Sequence, residues 1–181
     1  MKDLSMHIMD IIQNSVRAES TMVTLDIEED PVSDRYWIVI GDNGCGMDKQ
    51  TLANVMDPFF TTRTTRKVGL GLPLLRQNAE RTGGEMILRS TKGKGTELEV
   101  WFTLSHLDRP VLGDIAGTMV LLVGANPEMN FVYTHKTPKG EYVFDTREVK
   151  QILEEVSIAD PQIMSHIKTL INENIKSIIV S

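Results

Sequence analysis

The chain has 181 residues, of which 41% are hydrophobic and 24% are charged, so it has the composition of a folded domain with or without an appendage. Its formal net charge of -6 leaves no basic field over the molecule, which argues against nucleic acid as a general partner. One cysteine cannot form an internal disulfide and the most apolar run, GTMVLLVGA, is too short to span a bilayer, so we expect a cytoplasmic protein with no membrane segment.

The hydrophobic pattern of residues 1–105 alternates between helical and extended spacing. Helical spacing predicts helices over residues 3–19, 48–56 and 72–83. Alternation bounded by turn residues predicts strands over residues 21–29, 35–42, 85–91 and 96–104. Residues 57–71 are rich in Thr, Arg and Gly and have no period, so we expect a loop there.

Residues 106–181, called the extension below, have a different pattern. We expect a hairpin of strands 118–125 and 130–137, a further strand over 141–146, and helices over 147–156 and 161–180. The chain thus divides into an α+β body (1–105) and a β-then-α extension (106–181). We favour a last helix that packs on the body or on the hairpin; the alternative is a docking surface for a partner or a second copy.

The first candidate site feature is a polar stripe on the first helix. Asp10, Asn14 and Arg17 share one helical face, where an acid, an amide and a cation suit a water, a metal ion and a phosphate. The alternative is a solvated polar face opposite the Leu/Ile face.

The second feature is GDNGCGM, residues 41–47. Asp42 ends a predicted strand, and its carboxylate can accept a hydrogen bond from an exocyclic amine. Gly44 and Gly46 let a ligand approach the backbone closely. The alternative is a tight turn that leads into the next helix.

The third feature is KVGLG, residues 67–71, directly before a predicted helix. Gly69 and Gly71 open onto a helix N-terminus, whose free N–H groups favour anions. The preceding loop supplies Arg63, Arg66 and Lys67, cations that suit a polyphosphate. The alternative is a simple glycine hinge.

Taken in order, these features and the Phe-Phe loop between them resemble the GHKL ATP-binding family, which includes histidine kinases, DNA gyrase, MutL and the heat-shock chaperone ATPases. The resemblance covers about residues 4–104, and the segment DPFFTT is similar to the histidine-kinase branch. It implies a two-layer α/β sandwich, with a mixed and largely antiparallel sheet and helices on one face. The pattern of residues 106–181 adds a small β/α extension to this fold.

The resemblance also implies roles for matching residues, with ATP and Mg²⁺ as cofactors. Asn14 stands at the position of the Mg²⁺ ligand, Arg17 near the phosphates, and Asp42 at the position that accepts from the adenine amino group. Gly44 and Gly46 make room for the base. The other expected nucleotide-binding residues are Met47, Phe59, Phe60, Thr61, Thr62, Arg63, Lys67, Gly69, Leu70, Gly71, Leu72 and Thr96.

The candidate catalytic residue, Asp10, departs from the family pattern. It stands where water-activating branches carry glutamate and histidine kinases often carry asparagine. It can orient an attacking water or protein hydroxyl, or hold a hydrated metal, so the reaction stays open at this position.

The second departure from the family pattern concerns the phospho-accepting histidine of the kinases, which has no recognisable counterpart in this sequence. The matching segment begins at the first residues, and none of the four histidines has the surroundings of a phospho-accepting histidine. We therefore expect a role in signalling. Either the γ-phosphoryl group of ATP is transferred to a separate protein, or this chain regulates that protein. The alternatives are a stand-alone ATPase or chaperone-like switch in which Asp10 activates water, and a non-catalytic nucleotide sensor. A homodimer through the extension is a further possibility.

Overall fold

The computed structural model describes residues 3–57, 59 and 70–179. Its strands are β1 (Met22–Asp30), β2 (Arg35–Asp42), β3 (Glu85–Thr91), β4 (Gly95–Thr103), β5 (Asn130–Thr137) and β6 (Gly140–Asp145). They form one sheet in the order β3-β4-β2-β1-β5-β6. Strands β1 and β5 are parallel, and the other neighbouring pairs are antiparallel.

The helices are α1 (Leu4–Arg17), α2 (Lys49–Asn54), α3 (Gly71–Arg81), α4 (Ile115–Ala125), α5 (Thr146–Leu153) and α6 (Pro161–Ile178). Five of them begin at an aspartate whose carboxylate accepts from a first-turn N–H group: Asp3, Asp48, Asp114, Asp145 and Asp160. Such caps satisfy N–H groups that have no partner within the helix.

The core lies between one face of the sheet and the helices. Alternate strand residues are buried, such as Ile38 on β2 and Val100 on β4, and they meet Ile8 of α1 and Leu75 of α3. Period-two burial in the strands against helical stripes gives the α/β layering that the sequence predicted. The described ranges contain no helix with the length and apolar composition that a membrane span requires.

The prediction of a hairpin over residues 118–125 and 130–137 is wrong, because residues 115–125 form helix α4. This helix contacts both α1 and α6 and is buried on most of its surface. A segment that is apolar on all sides has no amphipathic period, so a buried helix and a buried strand look alike in sequence. The hairpin of the extension is instead formed by β5 and β6.

The extension contributes two strands to the common sheet. Strand β5 pairs with β1 over Met22–Glu28, and the last helix, α6, packs mainly on α4 and β6 within the extension. A buried hydrogen-bonded chain also crosses this junction: Tyr133 Oη lies 2.7 Å from His135 Nδ1, and His135 Nε2 lies 2.8 Å from Glu29 Oε1. The two sequence segments are therefore joined by a strand pair and by a buried polar contact.

Candidate functional site

The Asp42 carboxylate is held in a fixed orientation at the end of β2. Its Oδ1 accepts from the Gly44 N–H at 2.9 Å and from the Thr96 N–H at 3.3 Å. Its Oδ2 accepts from the Ser15 hydroxyl at 2.6 Å, which links the carboxylate to α1. These three donors come from a loop, a strand and a helix, so the carboxylate is preorganised to accept from a further donor.

The loop after Asp42 lies against the β3–β4 turn, and glycine is required where the two backbones meet. A Cβ on Gly46 would lie 2.1 Å from the Thr91 carbonyl oxygen, and one on Gly95 would lie 2.0 Å from the Asp42 carbonyl oxygen. Both residues also have positive φ. A Cβ on Gly44 would lie 2.6 Å from Ser20 Oγ. These glycines thus have a packing role, and their expected contact with adenine stays a prediction.

Ser90 of β3 connects the same loop to β4. Its hydroxyl oxygen accepts from the Met47 N–H at 2.8 Å and lies 2.8 Å from Thr96 Oγ1. The hydroxyl also donates to the Gly95 carbonyl oxygen at 3.0 Å. The structure therefore brings Met47 and Thr96 together beside Asp42. Cys45 is exposed, and the structure assigns it no role in this cluster.

The polar face of α1 lies next to this cluster, because Ser15 contacts Asp42. The Arg17 guanidinium donates to the side-chain amide oxygen (Oδ1) of Asn14 at 2.8 Å, and both side chains are exposed. Asp10 is half-buried one turn earlier on the helix. The stripe thus presents amide and carboxylate oxygens, the ligand type that Mg²⁺ prefers. Among the described residues there is no group of three or more His, Cys, Asp or Glu side chains that could hold a metal ion.

The N-terminus of α3 is the element expected to face phosphate. Gly71 and Leu72 form its first turn and are half-buried, whereas Leu70, the N-cap residue, is 47% exposed and makes no side-chain cap. The first-turn N–H groups are therefore not capped by Leu70. Phe59 is 81% exposed. The predictions for Phe60, Thr61, Thr62, Arg63, Lys67 and Gly69 fall outside the described residues.

His7 joins α1 to α3 below the polar stripe. Its Nε2 lies 3.3 Å from Asn78 Nδ2, and its Nδ1 is buried without a hydrogen-bond partner in the described part of the chain. Burial is the main cause that lowers the pKa of His7, and the nearby Asp10 partly opposes that shift. His7 is therefore part of the contact between α1 and α3.

Sequence reasoning missed three residues that shape this site. Ser15 and Ser90 act through hydroxyl contacts across 27 and 43 residues, and a serine among helix or strand residues gives no signal for such a contact. Asn43 accepts from the N–H groups of Thr21 and Met22 and so fixes the start of β1. Its position directly after Asp42, in a turn, is the type of site where asparagine often binds backbone, so that signal was present.

Comparison with known proteins establishes the family. The model of the histidine kinase-, DNA gyrase B- and HSP90-like ATPases matches residues 2–106. The chain belongs to this ATPase family. The GHKL resemblance drawn from Asp42, its glycines and the first helix is therefore confirmed, and residues 2–106 form a GHKL ATP-binding domain of the histidine kinase-like type.

Sensor proteins are among the relatives of this GHKL domain. A putative sensor protein of Shewanella frigidimarina is 39% identical over 103 residues, which are 56% of this chain and 16% of that protein. The sensor protein kinase FleS of Pseudomonas aeruginosa is 36% identical over 89 residues, which are 49% of this chain and 22% of that protein. The chain thus spans only about a fifth of the length of these relatives.

Solved structures confirm the GHKL fold. The MutL ATPase domain of Aquifex aeolicus, in complex with ADP, is similar with a TM-score of 0.53 and 15% identity, covering 85% of this chain and 70% of that one. The N-terminal domain of a DNA repair protein is similar with a TM-score of 0.55 and 18% identity, and the match covers 79% of this chain and 52% of that one. At these identities the likeness establishes the fold alone.

Proposed function

We propose that this GHKL domain binds Mg-ATP beside the Asp42 loop, between the polar face of α1 and the N-terminus of α3. The observation that carries the proposal is the Asp42 carboxylate, which three donors from three elements hold in one orientation. A carboxylate accepts from an exocyclic amino group such as that of adenine, and fixing it beforehand removes part of the cost of binding.

The phosphates in this proposal lie toward α3 and the polar stripe. The helix N-terminus at Gly71 offers N–H groups, and Arg17 offers a guanidinium, with Arg63 and Lys67 as further proposed cations. Asn14 is the proposed Mg²⁺ ligand, and its amide oxygen, which now accepts from Arg17, fits that ion. Bound Mg²⁺ neutralises phosphate charge, and Arg17, once released from Asn14, is free to pair with a phosphate oxygen.

We propose transfer of the γ-phosphoryl group to a separate protein, or regulation of that protein, in signalling. The support is that relatives such as FleS are named as sensor kinases. The bond between the γ-phosphorus and the bridging oxygen breaks, so that ADP leaves with that oxygen, and a bond forms from the phosphorus to the acceptor atom. Asp10, one turn from Asn14, is proposed to accept the acceptor's proton, while the other residues position the phosphates.

The second candidate is a stand-alone ATPase in which Asp10 takes a proton from water. It is favoured by the half-buried position of the Asp10 carboxylate, four residues before Asn14. Incubation with γ-labelled ATP and cell extract separates the candidates. A labelled protein supports transfer, and steady phosphate release by pure protein that is lost in Asp10→Asn supports hydrolysis. Nucleotide binding with neither result leaves a sensor, and no binding contradicts all three.

A further inference from the structure

The sheet has a second face, which points away from the helix-covered core and has no role in the nucleotide site. One row of cross-strand neighbours on it runs from β3 to β6 through Glu85, Trp101, Trp37, Glu28, Lys136 and Glu141. The next row runs through Ile87, Glu99, Val39, Asp26, Thr134 and Val143. We call these two rows the outer face.

The centre of the outer face is aromatic and partly open. Trp37 and Trp101 are direct cross-strand neighbours, both are partly exposed, and the Arg35 guanidinium lies 5.8 Å and 4.5 Å from their ring centroids. The indole N–H of Trp37 is covered but has no acceptor among the described atoms. Val143 in the second row is 50% exposed. Tryptophan and arginine are the residue types enriched in the energetic centres of protein interfaces.

The two rows of the outer face carry more carboxylates than cations, namely Glu85, Glu28, Glu141, Glu99 and Asp26 against Lys136. Lys136 pairs with Glu28 at 3.0 Å, and Arg89 pairs with Glu99 at 2.9 Å. Lys136 is also the cross-strand neighbour of Glu141 and interacts with its charge. Among the described residues, Asp26 and Glu85 have no cation as a direct cross-strand neighbour. Burial raises the pKa of the Asp26 carboxyl, and the nearby Glu141 adds to the rise, while a hydrogen bond with Thr134 opposes it. Asp26 is nonetheless exposed and its cross-strand neighbours are Val39 and Thr134, so a cation of a partner can reach its carboxylate.

We propose that the outer face is a docking surface for a basic amphipathic segment of a partner protein. Apolar side chains of that segment pack on Trp37, Trp101 and Val143, and its Lys or Arg side chains pair with the carboxylates around them. Charge selects this occupant. A second copy would bring the same excess of carboxylates against itself, and a nucleic acid would bring phosphates.

The test uses a peptide of about 18 residues made of Leu and Lys in helical spacing, which spans about 27 Å as a helix. Trp37 and Trp101 are the only two tryptophans of the chain, so intrinsic fluorescence reports directly on this face. We expect a saturable fluorescence change that weakens with salt. We expect about tenfold weaker binding to Asp26→Asn/Glu141→Gln, since two charge pairs are lost. The same peptide with Glu in place of Lys should not bind.

The matched control is Glu154→Gln/Glu155→Gln, which removes two exposed carboxylates after α5 that belong to neither row of the outer face. The proposal is overturned if this control weakens binding as much as Asp26→Asn/Glu141→Gln does, or if the Lys peptide produces no change. It is also overturned if the wild type sediments as a dimer that Val143→Glu dissociates, because the occupant is then a second copy. Asp42→Asn should bind the peptide like the wild type, so this result is independent of the nucleotide site.

Discussion

Replacing Ser15 by alanine removes one of the three donors that orient Asp42. The Ser15 hydroxyl lies 2.6 Å from Oδ2, whereas the Gly44 and Thr96 N–H groups both bind Oδ1. The variant therefore leaves Oδ2 without its described partner and frees the carboxylate to rotate. A hydrogen bond to a charged group contributes about 1.5–3 kcal/mol. Asp42 is only half-buried, so water replaces part of the lost hydrogen bond. We therefore expect a loss of binding free energy near the lower end of that range.

The assay is calorimetric titration with Mg-ATP. A loss of about 1.4 kcal/mol in the free energy of binding corresponds to about tenfold weaker affinity for Ser15→Ala. The matched control is Ser20→Ala, because the Ser20 hydroxyl is also buried but has no partner in the described structure. Its removal should leave the affinity unchanged and the melting temperature equal or higher. An affinity of Ser15→Ala within about twofold of the wild type would refute the orienting role, since that change is below the expected tenfold loss.

Three further predictions concern stability. Glu29→Ala leaves the buried Nε2 of His135 without its partner and should lower the free energy of unfolding in urea by about 1–3 kcal/mol. The exposed neighbour variant Glu28→Ala should change it little. Burial holds the pKa of His7 below its ordinary 6.5, so the unfolded state binds more protons than the folded state below that pH. The melting temperature should therefore decrease as the pH is lowered from about 7.5 to about 5.5, and it should decrease less in His7→Asn. An equal decrease in both proteins would contradict this. Gly95→Ala places a Cβ 2.0 Å from the Asp42 carbonyl oxygen and should prevent folding or strongly lower the melting temperature. Gly93→Ala, whose Cβ meets nothing within 4 Å, should cost only about 1 kcal/mol for its positive φ, and equal effects of both would argue against the close approach.

The first helix and the first two strands could be predicted because their burial is one-sided. Strands expected over 21–29 and 35–42 are Met22–Asp30 and Arg35–Asp42, where buried and less buried residues alternate. The first helix was equally clear, since its buried residues, such as Ile8 and Ile12, recur at helical spacing. The position of Asp42 at a strand end followed from the same pattern. A hydrophobic period indicates a helix or a strand only where one face of that element contacts solvent.

The extension and the contacts within the site could not be read in this way. Helix α4 is buried against α1 and α6, so its sequence has no polar face to mark the helical period. The parallel pairing of β5 with β1 joins residues more than one hundred positions apart, which no local pattern encodes. The same holds for Ser15 with Asp42, because a helix residue's partner on another element depends on the tertiary fold. Local chemistry was visible in the sequence, and its long-range partners were not.

The central claim, nucleotide binding through Asp42, is tested most directly by Mg-ATP calorimetry on the wild type, Asp42→Asn and Asp48→Asn. In Asp42→Asn one acceptor oxygen becomes an amide donor that faces either the adenine amino group or the site's own donors. Asp48 lies in the same loop, where it caps α2, and asparagine is an equally good cap. The account predicts that the wild type and Asp48→Asn bind Mg-ATP alike and that Asp42→Asn binds at least about 10-fold more weakly. Equal affinity in all three proteins, or no binding by the wild type, would contradict it.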